Sequence, residues 1–150
     1  MPARSSMPVQ TPLNLVMPIA DGKLPELAEV LKGFNQSEDK PLHNALKSLG
    51  NVHFAQFVFL EKGTRLGVFT IYDGNFDDYI LSFVEHIGEI FNRILKHIGD
   101  GGDKLVPVQE NRDEFLRFIK EHDLAGLGQF RAYPGRRAFD IQQALEETSC

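Results

Sequence analysis

Residues 52–72 read VHFAQFVFLEKGTRLGVFTIY, and this stretch decides the fold. Its two ends, residues 52–60 and 65–72, are rich in β-branched and aromatic side chains, which favour strands. The four residues between them include Gly63 and have the length of a hairpin connection. We therefore predict two neighbouring antiparallel strands.

Helices and two further strands are predicted around this hairpin. Apolar residues spaced three and four apart predict helices over residues 24–34, 41–49, 76–98, 111–122 and 137–147. Asn75 can cap the longest of them, because Asp78 follows three residues later. Short apolar and aromatic runs predict strands over residues 13–19 and 129–133.

Without the small helices, the order is strand, helix, strand, strand, helix, strand, as in a ferredoxin-like domain. The predicted fold class is therefore α+β, a ferredoxin-like βαββαβ antiparallel sheet with extra helices. We assign residues 1–12 to a flexible N-terminal segment, since the chain starts with a polar, proline-bearing stretch. Residues 13–150 are predicted to form a single domain.

Both faces of the predicted hairpin are apolar, although a sheet covered on one side needs only one apolar face. In the first strand of the hairpin, one face carries His53, Ala55, Phe57 and Phe59, and the other carries Val52, Phe54, Gln56, Val58 and Leu60. The simplest cover for the second face is the same face of a second copy. We therefore predict a homodimer, a dimeric α/β-barrel. The alternative is that the extra helices fold over that face within one chain.

The composition argues against several classes of partner. Sixteen basic and 21 acidic residues give a formal charge of −5, which disfavours binding to nucleic acid or to an anionic membrane. No apolar run approaches the roughly 20 residues of a membrane span, and residues 1–10 lack the apolar core of a secretory signal. Cys150 is the only cysteine, so no disulfide within the chain is expected, and we predict a cytoplasmic protein.

Three stretches resemble a known group of proteins. Val52-His-Phe-Ala-Gln-Phe-Val58 and Tyr72-Asp-Gly74 resemble the VHFAR and YDG motifs of small bacterial domains in the dimeric α/β-barrel superfamily. Residues 130–141 resemble the end of those domains, while Gln56 stands where the group usually has arginine. The resemblance covers most of residues 13–145. It implies the ferredoxin-like fold and the dimer, without an established activity.

The wider superfamily includes haem-degrading and quinone-forming monooxygenases, with haem or an aromatic substrate held between sheet and helices. The resemblance therefore implies a haem-linked oxygenase as one alternative. Haem-degrading members use a first-strand asparagine, a tryptophan and a histidine on the second helix. Asn14 can match the first, this chain has no tryptophan, and His86 falls on the polar side of the predicted helix.

Two residues are candidates for catalysis. His53 lies on a mostly apolar strand face, where it can act as an acid or base, or be a hydrogen-bonded core histidine. Asp73 lies between a strand and a helix, where it can act as a base or orient one, or only cap the turn.

Five further residues are candidates for ligand binding, namely Asn14, Phe57, Tyr72, Arg131 and Tyr133. Tyr72 and Tyr133 lie at strand ends, where they can add polar tips to an aromatic pocket or pack with a solvated hydroxyl. Arg131 is close in sequence to Arg136 and Arg137, and the three can bind a carboxylate or form a solvated patch near the acidic tail. No His or Cys spacing predicts a metal site.

Together these features predict a small dimeric α/β-barrel that binds a small apolar or aromatic ligand between its sheet and its helices. The alternatives are a cofactor-independent or haem-linked oxygenase and a non-catalytic structural or partner-binding subunit. The sequence leaves open whether the protein is an enzyme and which cofactor it uses.

Overall fold

The computed structural model describes residues 9–36 and 41–148 and has an α+β fold. The described residues form a three-stranded antiparallel sheet and five α-helices. The strands are β1 (Thr11–Pro18), β2 (Val52–Leu60) and β3 (Arg65–Tyr72). The helices are α1 (Leu24–Gln36), α2 (Pro41–Leu49), α3 (Phe76–Leu95), α4 (Arg112–His122) and α5 (Ala138–Thr148).

The predicted hairpin is confirmed, and its second strand is the centre of the sheet. The strand order is β1-β3-β2, and β2 pairs with β3 in antiparallel orientation. The short helical turn Glu61–Gly63 connects these two strands. Lys62 and Gly63 both have positive φ, of 57° and 83°, in this turn. Glycine adopts such angles at little cost, which explains why the connection carries one.

The two faces of the sheet have different surroundings. The inner face, defined by the buried side chains of β1 and β3, packs against the helices and carries Leu13, Leu15, Met17, Leu66, Val68 and Tyr72. Side chains alternate along a strand, so the outer face carries the residues between them, among them Asn14, Val16, Phe69 and Ile71. Phe54 and Val58 of β2 pair with Ile71 and Gly67 and lie on this outer face.

Helix α3 supplies the largest share of the core against the inner face. Its cap is confirmed, because the Asn75 side chain accepts a hydrogen bond from the backbone N–H of Asp78 at 2.9 Å. The helix buries a long apolar stripe, made of Tyr79, Ile80, Val84, Ile87, Phe91, Ile94 and Leu95. Phe115 from α4 packs edge-on against Phe91, with ring centroids 5.8 Å apart, which joins the two helices.

The predicted strand over residues 129–133 is wrong, because these residues join no ladder of the described sheet. The chain that follows α4 meets the free edge of β1 at Asn14, whose N–H donates to the Asp123 side chain and whose carbonyl accepts from the N–H of Leu124. Backbone groups of a strand point to alternate sides, so the next donor along this edge would belong to Pro12. Proline has no N–H, and the fourth strand does not form.

Strand β1 begins at Thr11, so residues 11 and 12 of the predicted flexible segment lie in the sheet. Gln10 is also buried, with 7% of its surface exposed. Its positive φ of 55° turns the chain into β1. Residues 1–8 of that segment and Cys150 lie outside the described residues.

Two hydroxyls are enclosed inside this core. They belong to Thr70 on β3 and Tyr79 on α3, both buried. The Tyr79 ring stacks on Tyr72, with centroids 4.2 Å apart. Burial raises the pKa of Tyr79 from 10.0 to about 12, because ionising the phenol would place a charge in the apolar core.

This burial predicts a loss of stability in alkali. In the unfolded chain Tyr79 ionises near pH 10, whereas the folded protein holds the proton to about pH 12. The free energy of unfolding is therefore lowered as pH rises from 10 towards 12, by about 1 kcal/mol at pH 11. Urea unfolding of wild type and Tyr79→Phe at pH 8 and pH 11 measures this, and the phenylalanine variant should lose less stability. Equal losses in the two proteins would contradict the prediction.

Candidate functional site

Asp73 is a buried carboxylate at the end of β3, with 6% of its surface exposed. Gly74, with a φ of 97°, turns the chain immediately after it, and Asn75 then starts α3. This turn directs the carboxylate back towards the sheet instead of leaving it to cap α3, which Asn75 does. The position of this carboxylate at the end of β3 therefore follows from the Tyr72-Asp-Gly74 motif, in which Tyr72 ends the strand and Gly74 forms the turn.

Three N–H donors surround this carboxylate. Oδ1 accepts from the backbone N–H of Gln10 and from Nε2 of His53, both at 2.8 Å, and Oδ2 accepts from the backbone N–H of Ala138 at 2.7 Å. We call these four residues the Asp73 network. Ala138 is the first residue of α5, so the negative charge also lies at the positive end of that helix. A buried carboxylate with this many donors is stabilised as an acceptor.

A β-bulge places His53 within reach of Asp73. Val52 pairs with Tyr72 and Phe54 pairs with Ile71, so β2 takes two steps where β3 takes one. His53 is the extra residue, and such bulges redirect a side chain out of the regular alternation. Its side chain is 7% exposed.

Gln10 adds a second layer to the network. Its side-chain amide donates to the carbonyl oxygens of Tyr133 and Arg136, at 2.6 and 2.9 Å. The start of β1 is therefore joined both to Asp73 and to the segment that precedes α5. Nothing in the local sequence around Gln10 indicates this role, because all of its partners are distant along the chain.

A cavity of about 560 Å³ lies next to this network. Its walls come from β2, β3, the segment of residues 129–133 and α5, and they include Val52, Phe54, Ile71, Phe130 and Ile141. The three donors to Asp73, which are Gln10, His53 and Ala138, all line it as well. Asp73 itself lies behind them and holds the cavity walls together.

The structure brings some of the predicted site residues together in this cavity. His53, Arg131 and Tyr133 line it, and Asp73 reaches it through His53. Arg131 and Tyr133 are exposed at its rim. The segment that failed to form a strand thus contributes side chains to a cavity wall.

Asn14, Phe57 and Tyr72 lie elsewhere. The Asn14 side chain donates to the carbonyl of Leu124 at 3.0 Å and anchors the chain after α4. Phe57 is half-buried on the helix side and lines a separate cavity of about 180 Å³ beside α1 and α2. Tyr72 is buried in the core, where burial and then the nearby charge of Asp123 raise its pKa.

The residues implied for haem do not share a site. Asn14 lies on the outer face of the sheet, away from α3. His86 is exposed on α3, where its Nδ1 lies 2.9 Å from the carbonyl of Ser82. These two side chains are on opposite sides of the sheet, so the residues present do not fit a haem group held between them.

The predicted arginine cluster is divided by the start of α5. Nε and Nη2 of Arg137 donate to the two carboxylate oxygens of Asp140, at 3.1 and 2.9 Å. These hydrogen bonds lower the pKa of Asp140 below its ordinary value and raise that of Arg137. Arg137, which directly precedes α5, is therefore paired with Asp140 in the first turn of that helix, while Arg131 lies at the cavity.

Removing the charge of Asp73 should lower the free energy of unfolding of the protein. In Asp73→Asn, one oxygen becomes an NH2 group that faces an N–H donor, so we expect a loss of about 2–4 kcal/mol in the free energy of unfolding. Asp77→Asn is the matched control, because Asp77 forms an exposed pair with Lys120 at 3.4 Å. That variant should lose less than about 1 kcal/mol. Equal losses in urea unfolding would show that the network does not hold these segments.

Within residues 9–36 and 41–148, no three His, Cys, Asp or Glu side chains are grouped so as to hold a metal ion. In the same part of the chain, no helix combines the length and apolar character needed to cross a membrane. No protein-family model, curated protein or solved structure matches this chain. The Asp73 network and the cavity beside it are therefore the basis for inferring a function.

Proposed function

We propose that this protein binds a small, largely apolar or aromatic ligand in the cavity beside the Asp73 network. The observation that carries the proposal is a cavity of about 560 Å³ with apolar walls and a firmly held histidine. Small-molecule sites are typically concave, mostly apolar and equipped with a few placed polar groups, with volumes of roughly 300–1,000 Å³. This cavity has each of those properties.

The proposed ligand site lies between the outer face of the sheet and α5, not between the inner face and the core helices α3 and α4. On the helix side, the core side chains of α3 and α4 pack against the inner face. The cavity beside Phe57 on that side has a volume of only about 180 Å³. The larger cavity includes Phe54 and Ile71 of the outer face, so the ligand would contact the face that α3 does not cover.

Catalysis by His53 is a second candidate function, in a cofactor-independent oxygenase or isomerase. The supporting observation is the 2.8 Å hydrogen bond between His53 Nε2 and Asp73 Oδ1, which orients the imidazole ring at the cavity wall. Asp73 is already bonded to two backbone N–H groups, so it would act as a positioning residue. The reacting group would be His53.

We also propose that the outer face of the sheet pairs with the same face of a second copy. The order β1-β3-β2 with α1, α3 and α4 packed on the inner face is that of three strands of a ferredoxin-like domain, and this supports the proposal of a two-fold dimeric barrel. The segment 129–133 and α5 reach only the end of this face near Ile71. Phe54 is 74% exposed, an unusual environment for a large aromatic side chain.

Filling the cavity should abolish ligand binding. Ile141→Trp places a large ring in the cavity, whereas Leu145→Trp adds the same ring one turn later, at an exposed position outside the cavity wall. We expect wild type and Leu145→Trp to bind the neutral dye N-phenyl-1-naphthylamine saturably, with a rise in its fluorescence, and Ile141→Trp to bind it at least ten-fold more weakly. Native mass spectrometry of the purified proteins would show any ligand retained from the cell. Equal binding by the two variants, or no saturable binding by wild type, would reject the cavity as a binding site.

A charge on the outer face should dissociate the proposed dimer. Val58→Lys places an ammonium group on the outer face opposite Gly67, and Leu81→Lys places one on α3 at a side chain that is already 39% exposed. We expect light scattering with size-exclusion chromatography to give a dimer for wild type and Leu81→Lys and a monomer for Val58→Lys. A monomeric wild type at micromolar concentration would overturn the dimer proposal and leave the cavity proposal intact.

A further inference from the structure

We infer that the ligand of the cavity is recognised as a hydrogen-bond donor, through a hydroxyl group that it directs at Nδ1 of His53. The ligand class is then a hydroxylated aromatic or alicyclic molecule, and an apolar carboxylate is excluded from the buried end of the site. This inference rests on the proposed function, because it specifies which ligand the same cavity takes.

The hydrogen bond to Asp73 determines which ring nitrogen can accept. An ionised carboxylate only accepts hydrogen bonds, and Asp73 already accepts two backbone N–H groups. His53 Nε2, 2.8 Å from Oδ1, therefore carries the hydrogen. In the neutral ring the other nitrogen, Nδ1, then has the free lone pair and is an acceptor.

Nδ1 is also available to a ligand. It makes no hydrogen bond within the described residues. It is also not one of the unpartnered polar atoms that are fully enclosed by protein, so part of its surface is open. His53 lines the large cavity and the adjoining cleft of about 400 Å³ that includes His43 and Lys47. Because the side chain is 7% exposed and held by Asp73, its acceptor has a defined direction.

The backbone N–H groups next to His53 do not provide for an anion, because those of Gln10 and Ala138 both already donate to Asp73. The side-chain amide of Gln10 uses its N–H groups on Tyr133 and Arg136. The lone pair of Nδ1 and the charge of Asp73 behind it would both repel a carboxylate placed there. Arg131 at the rim and Lys47 in the adjoining cleft are both exposed, where water competes for their charges. A neutral hydroxyl is the group that this environment favours.

Three naphthalenes with the same ring system test the inference. We would titrate wild type with 2-naphthol, 2-methoxynaphthalene and 2-naphthoate by fluorescence at neutral pH, and use NMR shifts of the Ala132 and Ala138 amides, which line the cavity, to place the ligand. One net hydrogen bond predicts that naphthol binds about five- to ten-fold more tightly than its methyl ether. Naphthoate should bind more weakly than naphthol.

Two substitutions at His53 separate recognition from structure. His53→Gln retains an N–H donor at the position of Nε2, towards Asp73, and has no acceptor at the position of Nδ1. His53→Asn places an amide at the δ position and loses the bond to Asp73. We expect His53→Gln to stay folded and to bind naphthol and the ether with nearly equal affinity. We expect His53→Asn to retain a preference for naphthol in the folded fraction, with a lower free energy of unfolding.

The outcomes distinguish the two proposals. If wild type binds none of the three compounds in the cavity, the proposed function fails and the ligand class fails with it. If the ether or naphthoate binds as tightly as naphthol in the cavity, the proposed function stands and the donor inference is overturned. An unchanged preference for naphthol in His53→Gln would also overturn it, because the hydroxyl would then be recognised by another residue.

Discussion

The structure depends on one buried negative charge. Transfer of a carboxylate from water to a protein interior is very unfavourable unless hydrogen bonds replace its hydration. Asp73 has 6% of its surface exposed, and its hydrogen bonds come from Gln10, His53 and Ala138, which are 63, 20 and 65 residues away in sequence. Each of these segments must be in place for the carboxylate to be satisfied. Because this one carboxylate needs three hydrogen-bond donors, it holds the residue before β1, the start of β2 and the start of α5 in place relative to one another.

The same constraint shapes the cavity. A cavity between a sheet and a loop normally collapses unless its walls are held apart by groups that cannot move closer. Here the three donors to Asp73 are themselves cavity residues, so the wall positions follow from the hydrogen bonds behind them. Gln10 extends this support to the segment before α5 through Tyr133 and Arg136. Stability and the proposed ligand site are consequently linked through Asp73, which lies outside the cavity wall.

Local patterns predicted the elements that local interactions determine. The hairpin of β2 and β3, the cap of Asn75 and the long apolar stripe of α3 all depend on neighbours within a few residues, and the structure confirms them. The strand predicted over residues 129–133 failed for a reason in another part of the chain, the missing N–H of Pro12 on the edge of β1. The role of Gln10 was not foreseen, because its partners Tyr133 and Arg136 are 123 and 126 residues away. His53 and Asp73 were identified individually as candidates, and their hydrogen bond depends on a bulge that the sequence does not mark.

The outer face of the sheet connects the two proposals about this protein. Phe54 lines the cavity and is also 74% exposed on the face proposed to meet a second copy. A second copy seated on that face would remove water from Phe54 and from the cavity mouth beside it. Electrostatic interactions and hydrogen bonds are stronger where water is excluded, so the bond between a ligand hydroxyl and Nδ1 of His53 would gain from dimerisation. Ligand affinity and dimer affinity would then rise together, since by linkage each equilibrium favours the other by the same factor.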